Sequence, residues 1–334
     1  MATTTARALE VESLATRFAE PLRISGYVFD AMPSVLVRIG EGRCVGRGEA
    51  AGVYYLGDDQ RRMLDTVETA RSAIESGVSR ADLQGLLPPC GARNAIDCAL
   101  WELESHLTAT PVWQSAGISR PRPLVTTFTF SADEPSVLAS KIERLSFAKA
   151  IKLKLEGNLE LDRERIAVVR RSRPDAWLGV DANQGFDASH LESLERIARD
   201  FSISLIEQPL RRGEEEALEG WKPCVPVAAD ESILDLHELE ERARFFDVIN
   251  IKLDKCGGLT EALAMAHRAR ALGKQVMVGN MGGSALATAP AFIVGQLCDF
   301  VDLDGPYALA GNSTADGIYS DGSIFVPEAM WGAG

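Results

Sequence analysis

The fold is decided by five short apolar runs that each end in a charged residue: AIKLK (150–154), WLGVD (177–181), ISLIE (203–207), VPVAAD (225–230) and VINIK (248–252). Their charged ends recur about every 25 residues, the length of one strand plus one helix in a (β/α)₈ barrel. The segments between them, such as LDRERIAVVRRS and EALAMAHRARALG, place apolar residues three and four positions apart, which is typical of amphipathic helices. Alternating strands and helices predict a parallel sheet.

The charged ends of these runs are expected to meet in space. In a barrel of this kind the carboxyl ends of the strands converge on one mouth. The charged residues concerned are Lys152, Lys154, Asp181, Glu207, Asp230 and Lys252. A single Asp after a strand is also typical of a helix N-cap at the start of a loop. Because five ends share the pattern, it favours a common site over independent surface charges.

Length and charge limit the classes of protein to consider. The 334 residues exceed a minimal barrel of about 250 and leave room for one smaller domain. A net charge of −13 argues against nucleic acid or anionic membranes as partners. The N-terminus lacks the apolar core of a signal peptide, and no apolar run approaches the about 20 residues that span a bilayer. We therefore expect a cytoplasmic protein.

Six cysteines are scattered along the chain without a C-x-x-C pair. This spacing indicates neither a zinc site nor a disulfide framework. We expect buried free thiols in a reducing compartment.

The chain divides into three parts by pattern. Residues 8–55 alternate apolar and polar positions between Gly-rich turns and predict an antiparallel meander, whereas residues 58–107 have a helical pattern. Prolines in ISRPRP (118–123) mark a boundary. We predict an α/β protein with an α+β capping domain (1–120), a modified (β/α)₇β TIM-type barrel (121–307) and a C-terminal tail (308–334) that completes the capping domain.

Three lysines at two strand ends suggest acid/base chemistry. Lys152 and Lys154 are two residues apart on a strand, so both side chains face inward. Their ammonium groups repel, which should lower a lysine pKa and make a free amine available as a base. A lone K-x-K at a strand end is also typical of solvated edge protection. Lys252, on the sixth strand, would face Lys154 across the barrel, so a substrate carbon between them could exchange protons on both faces.

Three carboxylates suggest a metal site. Asp181, Glu207 and Asp230 stand at three successive strand ends and offer hard oxygen ligands. Mg²⁺ prefers a few such carboxylates and keeps positions open for water and substrate. No histidine or cysteine beside them indicates zinc. The pattern therefore predicts a Mg²⁺ site.

Five motifs in order resemble the enolase superfamily, muconate lactonizing enzyme subgroup: K-L-K (152–154), D-A-N-Q-G-F (181–186), I-E-Q-P-L (206–210), A-D-E-S (229–232) and N-I-K-L-D-K-C-G-G (250–258). The resemblance spans nearly the whole chain. It implies that Asp181, Glu207 and Asp230 bind Mg²⁺ and that Lys154 and Lys252 are opposed acid/base groups. It also implies that Lys152 supports the substrate carboxylate in an ene-diolate reaction.

The predicted eighth strand, in DFVDLDG (299–305), narrows the resemblance. Asp302 and Asp304 are two residues apart and would both face the mouth. The chain is most similar to dipeptide epimerases, in which a D-x-D here holds the α-ammonium of the dipeptide, as two carboxylates bind one cation. Asp304-Gly305-Pro306 is also typical of a simple turn.

Two departures from the family pattern bear on the substrate. Residues 280–284 read NMGGS where many relatives have a Glu after the seventh strand, so glycines should widen the pocket and a charge is missing. Tyr27 stands where Ala-Glu epimerases carry an arginine that binds the glutamate side chain. The second residue of the dipeptide could therefore be apolar or aromatic.

The resemblance implies an isomerase, a Mg²⁺-dependent dipeptide epimerase that moves a proton at the α-carbon of the C-terminal residue. N-acylamino-acid racemase, o-succinylbenzoate synthase and muconate cycloisomerase share the ligands and lysines, and only the D-L-D motif argues against them. A non-catalytic barrel that binds a carboxylate is disfavoured by the intact ligands and lysines. The side chains of the dipeptide and the choice between monomer and homo-oligomer stay open.

Overall fold

The computed structural model describes residues 6–24, 27–311 and 317–334, apart from the side chains of 22–24 and 27. The first part is an antiparallel sheet of order β1-β2-β3, with strands Ala8–Ile24, Tyr27–Glu41 and Cys44–Ala50. Four helices follow: α1 (Gln60–Glu75), α2 (Arg80–Leu86), α3 (Gly91–Thr108) and α4 (Val112–Ser115). The predicted meander and helical segment of the capping domain are thus present.

Two glycines allow α3 to lie directly on the sheet. Gly46 and Gly48 alternate on β3 and share the face toward the helix. A Cβ at either position would lie 2.0 Å from a carbonyl oxygen of α3, that of Ala99 or Ala95. Any larger residue at these two positions would push the helix away from the sheet.

The barrel is one eight-stranded parallel sheet. The short strand β4 (Leu124–Val125) directly precedes it in the chain and is not part of it. Its strands are β5 (Thr127–Phe130), β6 (Ala150–Lys154), β7 (Trp177–Asp181), β8 (Leu205–Glu207), β9 (Val227–Ala229), β10 (Val248–Ile251), β11 (Gln275–Val278) and β12 (Phe300–Val301). The helices around it are α5 (Pro135–Arg144), α6 (Leu159–Ser172), α7 (Leu191–Asp200), α8 (Leu236–Arg242), α9 (Leu253–Cys256), α10 (Leu259–Ala271) and α11 (Ala285–Gly295). The predicted fold class is confirmed.

Side chains join the first and last barrel strands. The hydroxyl of Thr126 accepts a hydrogen bond from the backbone N–H of Leu303 at 2.9 Å. The hydroxyl of Thr127 donates to Asp302 Oδ1 at 2.5 Å. These contacts join the start of β5 to the residues that follow β12.

The connection between β8 and β9 departs from strict strand–helix alternation. Residues 208–226, all of them described, contain a 3₁₀ helix (Glu215–Leu218) in place of an α-helix. Helix breakers interrupt this segment at Pro209, Gly213, Gly220, Pro223 and Pro226. Further 3₁₀ turns lie at Tyr54–Leu56, Ala188–His190, Ala243–Phe245 and Gly305–Ala308.

The two ends of the barrel differ in polarity. At the amino end of the strands, Leu205, Ala228, Val248 and Met277 form an apolar cluster. The rings of Trp177 and Phe300, which begin β7 and β12, pack on it with centroids 5.7 Å apart. The charged residues singled out from the sequence lie at the opposite, carboxyl end, where Lys154, Asp181 and Glu207 end their strands.

Hydrogen bonds hold the capping domain to the segment after β10. Asp254 Oδ1 accepts from the backbone N–H groups of Ala51 and Gly52 at 2.9 and 2.8 Å. In return, Arg93 of α3 donates from Nε to the carbonyl of Gly257 at 3.1 Å. The loop after β3 is thus fixed relative to the strand that precedes Lys252.

The C-terminal tail contacts both parts of the molecule. Its strands β13 (Tyr319–Ser320) and β14 (Ser323–Ile324) form a small antiparallel sheet with β4. Farther along, Trp331 Nε1 donates to the carbonyl of Arg47 in the capping sheet at 2.9 Å.

All six cysteines are free thiols. Only Cys98 and Cys256 are buried, and Cys224 is exposed, so the expectation of general burial is wrong. Cys224 lies in the proline-rich β8–β9 connection, which runs over the surface. Within the described residues, no helix is both long and apolar enough to cross a membrane.

Candidate active site

Three carboxylates converge at the barrel mouth. Asp181 and Glu207 end β7 and β8 as partners in register, and Asp230 directly follows β9. One oxygen from each lies within 4.8 Å of the others, and all three residues are buried. A hard divalent cation fits this donor set, because every ligand atom is an anionic oxygen.

Lysine ammonium groups flank this cluster. Lys154 Nζ lies 2.5 Å from Asp181 Oδ2, and Lys252 Nζ lies 2.5 Å from Asp230 Oδ2. Lys252 immediately follows β10, four strands from the β6 strand that carries Lys154. The structure therefore brings together the two lysines and three carboxylates that the sequence singles out.

The expected effect of lysine–lysine repulsion on the lysine pKa is wrong for Lys152. Burial alone would lower its pKa, but the charges of Asp302, Glu207 and Asp181 outweigh burial and hold it well above the usual value. The pKa of Lys252 is raised for a similar reason, with Asp230 overcoming burial. A cation among the carboxylates would offset the charge that raises both values.

The carboxylates of the cluster differ in their affinity for protons. Burial and the charge of Asp181 raise the pKa of Glu207 to about 7. Burial also acts to raise the pKa of Asp230, but contacts with Lys252 and Lys255 lower it far below its usual value. Asp230 is therefore ionised under all ordinary conditions.

Lys152 lies beside the cluster and points to the last barrel strand. Its Nζ contacts Asp302 Oδ2 and lies 3.2 Å from Glu207 Oε2. Asp302 follows β12 and is buried between Lys152 and Thr127. The partner of Lys152 is thus a carboxylate of the D-L-D motif.

Asp304 occupies a different place from Asp302. It precedes the 3₁₀ turn Gly305–Ala308 and accepts from the backbone N–H of Thr129 at 2.6 Å. It also lines the cavity at the barrel mouth, into which Lys154 and Lys252 reach. Burial and the charge of Asp302 raise its pKa to about 6. The alternation expected for a long eighth strand is absent because β12 ends at Val301.

Two buried polar residues next to the cluster have no counterpart among the predicted site residues. Lys255, whose side chain is 0% exposed, donates to Asp230 Oδ1 at 2.7 Å and to the carbonyl of Asn250 at 3.1 Å. Asn250 Nδ2 donates to Glu207 Oε1 at 2.7 Å. Asn250 was predictable, because it is polar and precedes the inward-facing Lys252 by two residues. No sequence signal marks Lys255 as buried.

Further polar residues outside the predicted set line the cavity. Tyr55, from the loop after β3, reaches the cavity alongside Tyr54. Asn183 and Glu231 follow Asp181 and Asp230 within the D-A-N-Q and A-D-E-S motifs and also line it.

The capping domain and the loop after β11 close the cavity from above. Met281 and Gly282 line it, but a Cβ at Gly282 would lie 2.1 Å from Met32 Cε. The room expected from the glycine is therefore taken up by Met32 of β2. The backbone of Tyr27 begins β2, and its side chain lies outside the described residues.

The chain is similar in sequence to proteins of known function. The family model described as Enolase C-terminal domain-like matches residues 138–330. The L-Ala-D/L-Glu epimerase of Escherichia coli (strain K12) is 35% identical over 278 residues, covering 83% of this chain and 86% of that protein. The N-acetyl-D-glutamate racemase of Pseudoalteromonas sp is 32% identical over 290 residues, covering 85% and 91%.

A solved structure extends the similarity over the whole fold. It is the crystal structure of an enolase family member from Agrobacterium tumefaciens with homology to dipeptide epimerases, with bound sodium and L-Ala-L-Glu. It is 32% identical, has a TM-score of 0.91 and covers 98% of this chain and 100% of that chain. Because the family model spans more than half of the chain and similar proteins match most of it, the chain belongs to the enolase superfamily.

Proposed function

We propose that this protein is a Mg²⁺-dependent dipeptide epimerase that inverts the α-carbon of the C-terminal residue by 1,1-proton transfer. The observation that carries the proposal is the pair of lysines, Lys154 and Lys252, which contact different carboxylates of the cluster, Asp181 and Asp230. Two bases facing one carbon allow a proton to leave from one side and return on the other. The similarity to dipeptide epimerases supports the same reaction class.

Each residue has a role that follows from its place. Asp181, Glu207 and Asp230 would hold Mg²⁺, which supplies Lewis-acid stabilisation of the substrate carboxylate. Lys152 adds positive charge beside the cluster, where negative charge develops when the α-proton leaves. Asp304 faces the cavity and binds the α-ammonium, while Asp302 fixes Lys152. The Tyr27 side chain is proposed to face the second residue of the dipeptide.

A racemase of N-acylamino acids is the second candidate. The similarity to N-acetyl-D-glutamate racemase favours it, and its substrate would use the same lysines and cation. The two candidates differ at the amino end of the substrate, because an N-acylamino acid has no ammonium group. Asp304 therefore separates them.

The first prediction compares free and N-acetylated dipeptides. For the best dipeptide of a library, acetylation should lower kcat/KM by about 10- to 150-fold, because a hydrogen bond to a charged group contributes about 1.5–3 kcal/mol. The measurement is chiral chromatography of the epimerised product with Mg²⁺ present. In Asp304→Asn, free dipeptide should lose a similar factor and the acetylated form much less. Equal turnover of both forms by the unaltered protein would move the function to the N-acylamino-acid racemases.

The second prediction concerns pH. Because burial and Asp302 raise the pKa of Asp304 to about 6, its carboxyl gains a proton and loses its charge as the pH falls through that value. The substrate ammonium stays charged up to about pH 8. The kcat/KM ratio of free to acetylated dipeptide should therefore be highest between these values and fall below pH 6. A ratio that is constant from pH 5 to 7 would remove Asp304 from ammonium binding.

A further inference from the structure

Asn183 and Glu231 form a pair that joins two of the three cluster carboxylates. The backbone N–H of Asn183 donates to Asp181 Oδ1 at 2.9 Å. Its side-chain Nδ2 donates to Glu231 Oε1 at 3.4 Å, and Glu231 directly follows Asp230. The pair is therefore tied to the cluster at both ends.

Each member of the pair keeps one buried oxygen without a partner among the described residues. These atoms are Asn183 Oδ1 and Glu231 Oε2, and both residues line the active-site cavity. Glu231 as a whole is only 5% exposed. A buried acceptor without a donor costs free energy, so two such atoms beside one cluster indicate a ligand that donates two hydrogen bonds.

The backbone supports a specific role for Asn183. Its φ of +42° lies in the left-handed region, and the following Gln184 has a φ of +66°. Non-glycine residues seldom adopt this conformation, and Asn tolerates it better than most. In this turn the backbone N–H of Asn183 donates to Asp181 while its side chain lines the cavity.

We propose that Asn183 and Glu231 are positioning residues that accept hydrogen bonds from a water ligand of the cation held by the three carboxylates. Mg²⁺ gives up its waters reluctantly and keeps several of them in protein sites. A water molecule on a cation has two protons to donate, one to Asn183 Oδ1 and one to Glu231 Oε2. Asn250 Oδ1 is also unpaired among the described residues, but Asn250 does not line the cavity. The substrate carboxylate has no proton to donate and cannot satisfy either oxygen. The inference rests on the cation site of the proposed function and not on the identity of the substrate.

The test measures cation binding without substrate. Mn²⁺ serves as the probe, and its free concentration is followed by electron paramagnetic resonance. Asn183→Gly and Glu231→Gln should each weaken Mn²⁺ binding by about 10- to 100-fold, the usual effect of losing an outer-shell partner. Glycine adopts a positive φ without strain and keeps the backbone N–H to Asp181, so this variant removes only the side chain.

Two variants serve as matched controls. Gln184→Gly lies in the same left-handed turn, but the Gln184 side chain bonds the backbone N–H of Arg212 at 3.0 Å. Glu215→Gln replaces a buried carboxylate that accepts from the backbone N–H of Gly213 at 2.9 Å. Because neither control changes an unpaired cavity atom, both should keep Mn²⁺ affinity within about twofold of the unaltered protein, against the 10- to 100-fold expected above.

The outcomes separate this proposal from the proposed function. Unchanged Mn²⁺ affinity in both Asn183→Gly and Glu231→Gln would overturn it. If KM for the dipeptide then rose, the two oxygens would belong to the substrate. Because the titration contains no dipeptide, weakened Mn²⁺ binding would support the outer-shell role even for a protein that epimerises no dipeptide.

Discussion

Replacing either Lys154 or Lys252 by alanine is expected to lower the rate of epimerisation by about 10²- to 10⁴-fold, the usual contribution of one acid/base group. Inversion needs one group to remove the proton and another to return it on the opposite face. Lys154 contacts Asp181 and Lys252 contacts Asp230, on strands four apart, so under the proposed mechanism neither lysine replaces the other. Chiral chromatography of product formed from each isomer measures the loss.

A matched control is available at the opposite end of the same strand. Lys149 precedes β6 and pairs with Asp321 at the surface, away from the mouth. Lys149→Ala should keep nearly full activity. Normal epimerisation by Lys252→Ala would show that a single base suffices, and the assignment of both lysines would then be wrong.

Removal of divalent cations is expected to lower turnover by about 10³-fold or more. Lewis-acid stabilisation contributes several kcal/mol, and each 1.4 kcal/mol is a factor of ten in rate. The loss should follow treatment with a chelator and reverse on adding Mg²⁺. Asp181→Asn should show a comparable loss that added Mg²⁺ does not reverse, because one of the three ligands is gone.

The control for this prediction is a buried carboxylate elsewhere in the molecule. Asp97 of α3 accepts from the backbone N–H of Thr260 at 2.9 Å and lies outside the cluster. Asp97→Asn should therefore respond to chelation and Mg²⁺ as the unaltered protein does. Full activity after exhaustive chelation would contradict a role for a cation.

The strand ends were predictable from the sequence because their signal is local. A run of four or five apolar residues followed by a charge identifies each end without knowledge of its neighbours, as for Asp181 and Glu207. Parallel topology then brings the ends to one mouth whatever the details of packing. For this reason the cluster of carboxylates and lysines could be placed together before the structure.

Other features depend on contacts that no local pattern records. The pKa of Lys152 is raised chiefly by Asp302, which is 150 residues away in the sequence. The neighbouring Lys154 alone would have lowered it. Burial of Lys255 follows from four acceptors contributed by three different positions of the fold. Met32 fills the space at Gly282 only because the capping domain covers the mouth.

The most direct measurement of the two-base mechanism is proton NMR of the C-terminal α-proton in D₂O, carried out on each dipeptide isomer with Lys154→Ala and with Lys252→Ala. Each variant keeps one base, which reaches the proton of only one isomer. The expected result is reciprocal exchange, with one isomer losing its α-proton in each variant while neither variant inverts it. Exchange of the same isomer by both variants, or exchange confined to the N-terminal residue, would contradict opposed bases at Lys154 and Lys252.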